Sequence, residues 1–482
     1  MLKSLITPAD PVPAIRLGRV HFTGIGGAGM SGIARIMLAR GISVSGSDAM
    51  PSAMLDDLHA QGARVYVGHA AANLGDLGPG DTLVLSSAIR ADNPELAEAT
   101  RRGLRVMHRA AALASVMAGR RVIAVAGTHG KTTTTSMLTT VLRDCGADPG
   151  YVIGGILNET GLGAEDGAGM DFVAEADESD GSFLKLTPTI AVVTNIDAEH
   201  LDHYGTHDAV KDAFVQYANR VPFYGLCVLC LDHPSVQEIL PRIERRHVTY
   251  GVSRQADYRA KNARYEGLAT HFDAFRKDDP LGSFVVHMPG AHNVLNALSV
   301  IAVADELEVP LDVTREAIAG FHGVQRRFTV LGTPALTKNG KRGDVMIVDD
   351  YGHHPAEIEA TLSAAQGGFD RRVVVAFQPH RYTRTKHLFP EFTRAFNKAD
   401  VLLVTEVYPA GEQPIEGATG AALADAIRAH GHHAVTYVPD KKNVGRALLD
   451  IVHPGDLVIA LGAGDINASA RELLTSLTEG LR

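Results

Sequence analysis

Short apolar runs recur along this chain, each followed by a stretch of helical periodicity or by a glycine-rich turn. "RVHFTGI" leads into "GMSGIARIMLARG", and "DTLVLSSAI" leads into "NPELAEATRRG". The runs "RVIAVAG", "FVAEADES", "IAVVTNID", "VMIVDDYGHHP", "VVVAFQPHR", "VLLVTEVYPAG" and "DLVIALGAGD" carry the pattern on towards the C-terminus. Strands that are apolar on both faces need helices on both, which is the arrangement of parallel α/β sheets. In open parallel sheets ligands bind beyond the carboxyl ends of the strands. The unusual residue clusters of this sequence sit there, directly after the apolar runs.

With 482 residues the chain exceeds one domain of about 100–200 residues. Three α/β domains are expected, over 1–118, 119–325 and 326–482, divided before the strand that follows Gly119 and within "FHGVQRRF". Region 253–288 has weaker periodicity with some alternation and reads as a β-rich insertion. A net charge of −9 argues against a general nucleic-acid binder, which carries a basic excess. Anionic small ligands remain compatible with it. No run of about 18 apolar residues is present, so no membrane span is expected. The N-terminal "MLKSLITPADPVPAIRLG" reads as a loose leader rather than a signal peptide. Three cysteines are too few for a disulfide framework and point to a reducing, cytoplasmic setting. Cys227 and Cys230 form C-x-x-C inside "GLCVLCLDH", and core packing is the reading preferred over redox or metal work.

Two glycine loops compete to define the chemistry. "HFTGIGGAGM" matches G-x-G-x-x-G at Gly24, Gly26 and Gly29, with Gly27 and Ala28 between them and Asp48 about one βα unit later. Alone it announces a dinucleotide-binding oxidoreductase. "GTHGKTTTT" spans Gly127, Thr128, His129, Gly130, Lys131, Thr132 and Thr133 between a strand and a helix. A strict P-loop would place glycine at 125, where Val125 stands, so this is a variant loop. Its physics is unchanged: backbone N–H groups and a helix N-terminus cradle phosphate, Lys131 reaches the β- and γ-phosphates, and the Thr132 hydroxyl ligates Mg²⁺. "FVAEADESD" ends an apolar run with Glu175, Asp177, Glu178 and Asp180, and Glu175 is the first choice for a Mg²⁺ carboxylate. "VVTNIDAEHLDHY" adds His200, as metal ligand or as support for one.

Together these motifs resemble the Mur ligase family, ATP-dependent amide-forming enzymes of peptidoglycan assembly. "GAHNVLNAL", "RRF", "DDYGHHPAEI", "FQPHRYTRT" and "GAGDI" extend the resemblance over almost the whole chain, in the family's order. It implies an N-terminal Rossmann-like domain for the UDP part of a sugar nucleotide, a central P-loop ATPase-like domain and a smaller C-terminal Rossmann-like domain. The C-terminal domain would close over ATP and bring the amino acid. ATP and Mg²⁺, with Mn²⁺ as a substitute ion, would be the cofactors. Carried over by motif, Lys131 would hold phosphate, Thr132 and Glu175 would hold Mg²⁺ and His200 would assist. Asn293 and Asn296 would read adenine, their alternative being a helix start with an Asn cap. Arg327 would contact ATP phosphate and Asp350 the ATP ribose. Tyr351, His353, Arg381 and Arg384 would bind the amino acid, the guanidinium fork suiting an α-carboxylate, against a reading as plain surface charge.

Within the family the likeness is to the branch that joins L-alanine to UDP-N-acetylmuramate. The glycine loop at 24–29 is then a diphosphate cradle for UDP rather than NAD. Asp48, His69, Ser86, Ser87 and Arg109 are further candidates on the UDP-sugar. Many family members carry a modified, metal-bridging lysine about fifteen residues after the motif histidine; here Val215 stands there and Lys211 is the nearest lysine. The alanine-adding branch is expected to lack it. A monomer or weak homodimer is expected, without nucleic-acid or membrane partners. The alternatives are a ligase adding a preformed tripeptide to the same sugar nucleotide, an NAD-dependent oxidoreductase and a non-catalytic nucleotide-binding regulator.

Overall fold

The computed structural model describes residues 12–479; residues 1–11, most of the expected leader, lie outside it. It divides into two compact units. The first runs to Lys261 and includes Asp273–Gly282 and Leu295–Phe321; the second comprises Asn262–Phe272, Ser283–Val294 and the chain from His322 onward.

The first unit holds two sheets. Strands β1 (Val20–Thr23), β2 (Val44–Asp48), β3 (Arg64–Val67), β4 (Thr82–Leu85) and β5 (Arg105–His108) are all parallel, in the order β3-β2-β1-β4-β5. The order reverses between β1 and β4, which opens a crevice above their carboxyl ends. Helices α1 (Ala28–Ala39), α2 (Ala53–Ala60) and α3 (Pro94–Arg102) lie between them, and α4 (Arg109–Met117) follows β5. Local chemistry sets their ends: Asn93 caps α3 by accepting from the N–H groups of Glu95 and Leu96, Pro94 occupies the first turn, and Gly103 stops the helix at φ 71°.

The second sheet has a parallel core of β6 (Arg121–Ala126), β7 (Gly150–Val152), β9 (Asp171–Glu175), β10 (Ile190–Val193), β11 (Leu226–Cys230) and β12 (His247–Gly251), with β8 (Ala164–Glu165) antiparallel at one edge. The order is β12-β11-β10-β6-β9-β7-β8, and β13 (Tyr258–Glu266), β14 (Ala269–Arg276) and β15 (Asp279–Val286) follow β12 in the sheet, with the parts of these three strands within Asn262–Phe272 and Ser283–Val294 belonging to the second unit. The region read as β-rich is therefore three strands. Its helices are α5 (Lys131–Asp144), α6 (Leu201–Tyr204), α7 (His207–Ala218), α8 (Pro234–Ile239), α9 (Ala291–Glu306) and α10 (Leu311–Gly320). The boundary expected near residue 118 falls inside this unit. Apolar side chains from both sheets share one core cluster, and Gly32 of α1 lies so close to Ala164 of β8 that a Cβ would meet it at 2.9 Å.

Cys227 and Cys230 lie fully buried on β11. Burial pushes their thiols up to about 12 and about 11, so neither supplies thiolate near neutral pH. In the native protein at pH 8, N-ethylmaleimide should label the half-buried Cys145 first and leave the β11 pair unlabelled until unfolding; intact-mass spectrometry checks this.

In the second unit β16 (Thr329–Gly332), β19 (Met346–Asp350), β20 (Val373–Phe377), β21 (Val401–Thr405), β22 (Val435–Val438) and β23 (Leu457–Leu461) form a sheet in the order β16-β19-β23-β20-β21-β22. Only β16 is antiparallel. A hairpin of β17 (Ala335–Lys338) and β18 (Lys341–Asp344) stands beside it as its own two-stranded sheet. Helices α11 (Pro355–Gly368), α12 (Tyr382–His387), α13 (Phe389–Ala395), α14 (Gly420–Ala429), α15 (Val444–Ile451) and α16 (Asn467–Glu479) complete it. Separate apolar clusters cover the two faces.

Candidate active site

The loop after β6 turns through Gly127 (φ 138°) and Gly130 (φ 82°) into α5, which begins at Lys131. Only glycine fits at either position. A Cβ on Gly127 would overlap Thr194 Oγ1, and one on Gly130 would meet Asn296 Oδ1 at 2.7 Å. Residues following β10 grip the loop. Asn195 Oδ1 accepts from the His129 N–H at 2.7 Å, while Asn195 Nδ2 and Thr194 Oγ1 donate to the His129 carbonyl at 2.9 and 2.6 Å. The Asp197 N–H donates to Thr128 Oγ1 at 2.8 Å. The Asp197 carboxylate lies 3.1 Å from His129 Nε2 and 3.3 Å from His233 Nε2. Against the cost of burial, these two histidines hold it far below the usual carboxylate range.

Lys131 Nζ donates to the carbonyl of Thr128 at 3.2 Å and to Glu178 at 3.0 Å, and also to the carbonyl of Gly127. Burial opposes its charge, but Glu178, Glu175 and Asp177 outweigh that and raise its pKa. Burial and the neighbouring Asp177 push Glu178 up to about 7 against the pull of Lys131. A phosphate arriving at the loop therefore competes with Glu178 for the ammonium, and Glu178 takes up a proton readily when Lys131 leaves it.

Thr132 Oγ1 donates to Glu175 Oε2 at 3.0 Å, and the same oxygen accepts from the Gly154 N–H at 2.8 Å. A Cβ on Gly154 would fall 2.7 Å from that oxygen, so the approach needs glycine. A hydroxyl and a carboxylate side by side at the phosphate loop are hard oxygen donors that fit Mg²⁺. The ion takes one or two protein carboxylates and fills its shell with phosphate oxygens and water. Among the described residues there is accordingly no cluster of three or more His, Cys, Asp or Glu arranged to hold a metal. His200, in the left-handed region at φ 57°, has Nε2 at 4.0 Å from Glu178 and 3.8 Å from Glu199. It thus stands beside the lysine's counter-ion. Val215 is buried in α7, and Lys211 is committed to Asp208 at 2.7 Å and Glu238 at 2.6 Å, away from the loop.

Asn293 and Asn296 lie within the first turns of α9 rather than at its cap. Both are buried; Asn293 Nδ2 donates to the Pro289 carbonyl at 2.9 Å, and Asn296 Oδ1 accepts from Thr134 Oγ1 at 3.3 Å, under the phosphate loop.

The first glycine loop lies over the β1–β4 crevice. Gly24 adopts φ 82°, Gly27 precedes α1, and Ala28 and Gly29 open it. The Gly26 N–H donates to Asp48 Oδ2 at 2.9 Å, so Asp48 braces the loop. Arg109 reaches over Gly29, where a Cβ would meet its Nη1 at 2.6 Å, and its Nη2 donates to Asp177 at 3.0 Å. A single guanidinium therefore links the diphosphate-type loop of the first sheet to the acidic segment of the second. Ser86 and Ser87 follow β4, half-buried and exposed respectively. His69 Nδ1 lies 2.8 Å from Ser47 Oγ. Glu178 was visible in the sequence only as one acid among several, and its pairing with Lys131 was not read. Glu95, the buried acceptor behind Ser47, carried no motif at all.

In the second unit Arg327 is flanked by two left-handed residues, Arg326 (φ 62°) and Phe328 (φ 49°). Its guanidinium lies 3.2 Å from Glu357 and 5.2 Å from the Tyr351 ring centroid. Asp350 is buried, with Oδ2 accepting from the Phe328 N–H and Oδ1 from the Gly352 N–H, both at 2.8 Å. It shapes the loops on either side of Arg327. Tyr351, His353, His380 and Tyr408 form a chain of ring contacts, centroids 5.2, 5.8 and 5.4 Å apart. Arg381 Nε donates to Glu412 at 2.6 Å, and Arg384 Nη1 lies 3.3 Å from His380 Nδ1. Burial and the flanking His353, Arg384 and Arg381 push His380 down to about 3, so its imidazole is neutral. His380, Tyr408 and Glu412 were not singled out by the sequence reading, although His380 lies inside a motif it quoted.

Three family models match this chain: the Mur ligase family catalytic domain over residues 19–121, the Mur ligase middle domain over 125–304 and the glutamate ligase domain of Mur ligases over 326–464. A UDP-N-acetylmuramate–L-alanine ligase of Sorangium cellulosum is 59% identical over 96% of this chain and 97% of the relative. One of Myxococcus xanthus is 55% identical over 95% of each. Among solved structures, the UDP-N-acetylmuramate-alanine ligase MurC of Thermotoga maritima matches with TM-score 0.79 at 28% identity, covering 96% of this chain and 99% of that one. The murein peptide ligase of Psychrobacter arcticus matches over the same shares with TM-score 0.69 at 25% identity. With two glycine loops, an acidic strand end beside a buried lysine, and matches over nearly its whole length, the chain belongs to the Mur ligase family.

Proposed function

We infer that this chain is an ATP-dependent ligase that joins L-alanine to the lactyl carboxylate of UDP-N-acetylmuramate, in cytoplasmic peptidoglycan precursor synthesis. The observation that carries the chemistry is Lys131 at the start of α5, ion-paired at 3.0 Å with Glu178 and one residue from the Thr132–Glu175 contact. The identity to alanine-adding relatives supports the choice of amino acid. A carboxylate does not accept an amine without a better leaving group. ATP therefore phosphorylates the lactyl carboxylate to an acyl phosphate with ADP as leaving group, the neutral amine of alanine adds to the carbonyl carbon, and phosphate leaves as the amine gives up a proton.

The protein's part is positioning and charge neutralisation. Lys131 exchanges Glu178 for the β- and γ-phosphates, and the N–H groups at the head of α5 face the same oxygens. Thr132 and Glu175 would hold Mg²⁺, which when bound neutralises phosphate charge. His200 stands next to Glu178. Gly24–Gly29 and Arg109 take the UDP diphosphate. In the second unit Arg327 would meet ATP phosphate. Arg381 and Arg384 would take the alanine carboxylate, beside the uncharged ring of His380. The tripeptide-adding alternative draws less support, the relatives of 55–59% identity over nearly the whole chain being alanine-adding ligases by name. Phosphate release with UDP-N-acetylmuramate across an amino-acid panel tests the reading. L-Alanine is expected to give the highest kcat/KM, and a panel in which only a tripeptide supports release overturns it.

A further inference from the structure

A buried carboxylate stands behind the strand ends of the first sheet. Glu95 sits in the first turn of α3 with no exposed surface. Its Oε2 accepts from Thr23 Oγ1 at 2.8 Å and from Ser47 Oγ at 2.7 Å; its Oε1 accepts from Asn73 Nδ2 at 2.7 Å and from the Ala70 N–H at 3.3 Å. His21 Nε2 lies 3.4 Å away. Thr23 precedes Gly24, Ser47 precedes Asp48, and Ala70 follows His69, so one charge ties together the ends of β1, β2 and β3. Burial alone would raise the pKa of Glu95, but His21, Asn73 and Ser47 hold it at about 2. It is therefore an acceptor only at neutral pH.

That fixes the direction of the next bond. Ser47 has one hydroxyl hydrogen and two close partners, Glu95 Oε2 at 2.7 Å and His69 Nδ1 at 2.8 Å. If the hydrogen pointed to His69, two oxygen lone pairs would face each other at 2.7 Å. The hydrogen therefore goes to Glu95, Ser47 Oγ accepts from His69, and Nδ1 is a ring nitrogen that carries a proton. The other ring nitrogen, Nε2, belongs to a side chain that keeps 21% of its surface. The sheet order β3-β2-β1 places His69 on the third strand end counted from the diphosphate loop, past Asp48. In a Rossmann-like layout that is the nucleobase side.

We propose that His69 Nε2 accepts the imide N3–H of uracil, and that Ser47 and Glu95, by fixing the imidazole tautomer, are the positioning residues that select a uracil over a cytosine nucleotide. Cytosine offers a lone pair at N3, which would face the lone pair of His69. This rests on the reading that the N-terminal sheet holds the UDP part of the substrate.

Competition against UDP-N-acetylmuramate by UDP and by CDP, measured with the full chain, tests it. Wild type is expected to bind UDP roughly 10- to 100-fold more tightly than CDP, the cost of one mismatched polar contact at a half-buried site. Ser47→Ala frees the tautomer and should collapse that ratio towards unity. Equal binding of UDP and CDP by wild type, or an unchanged ratio in Ser47→Ala, overturns the proposal. The ¹⁵N spectrum of the wild-type histidines is independent of any variant's folding: His69 must show a protonated Nδ1 and a bare Nε2, and the reverse pattern overturns the proposal. If UDP fails to compete at all, the UDP reading of this sheet fails first.

Discussion

Lys131→Ala lowers kcat/KM for phosphate release and for alanine ligation by roughly 10³-fold or more, about 4 kcal/mol of transition-state stabilisation. The lysine is the one ammonium at the head of α5, and Glu178, Glu175 and Asp177 keep it charged despite burial. No neighbouring residue can substitute, because Lys211 is paired with Asp208 and Glu238 on α7's outer side. The fold should survive. Removing the cation leaves Glu178 buried, but its pKa already stands at about 7, and losing Lys131 raises it further. At pH 7 the carboxyl is then neutral rather than a buried, unpaired anion. Circular dichroism unchanged alongside the lost rate is the expected pair of results. A variant that ligates alanine at near-normal rate would falsify the assignment of this loop.

Glu175→Gln is the second large effect, roughly 10²- to 10³-fold in kcat at ordinary Mg²⁺. The substitution is nearly isosteric, and the glutamine carbonyl can still accept from Gly154 and Thr132. What disappears is the charge. The distinguishing signature is a partial recovery of rate with added metal: the half-saturating Mg²⁺ concentration should rise by about 10-fold or more, as for a site that has lost an anionic ligand. A rate deficit insensitive to Mg²⁺ would instead make Glu175 a brace for the Gly154 segment.

Much of this molecule is legible along the chain. Apolar runs ending in glycine loops predict parallel sheets, and the loops at Gly24 and Gly127 both enter helices as read. The edge strands β3 and β16 were not picked out, because edge strands bury less and their runs are short and mixed in polarity. Cys227 and Cys230 were readable as core because a central parallel strand is covered on both faces.

Beyond Glu175, chosen for its place at the end of the apolar run, which acid does what was not readable. "EADESD" offers four carboxyls in six positions, and composition cannot rank them. The fold turns Glu175 to Thr132, Glu178 to Lys131, Asp177 to Arg109 and Asp180 to His108. Likewise the shared core of the two N-terminal sheets depends on Gly32 meeting Ala164, residues far apart in sequence.

The sequence by itself determined the fold class, the family and the positions of the phosphate-binding loops. Those depend on short-range periodicity and on glycines whose φ values only glycine tolerates. Only the tertiary structure decided the partners: Glu178 as the lysine's counter-ion, Asp350 as a loop brace, and Glu95 as the charge that orients Ser47 and His69. Such roles arise where several strand ends converge, and a buried charge is stabilised by donors from each of them.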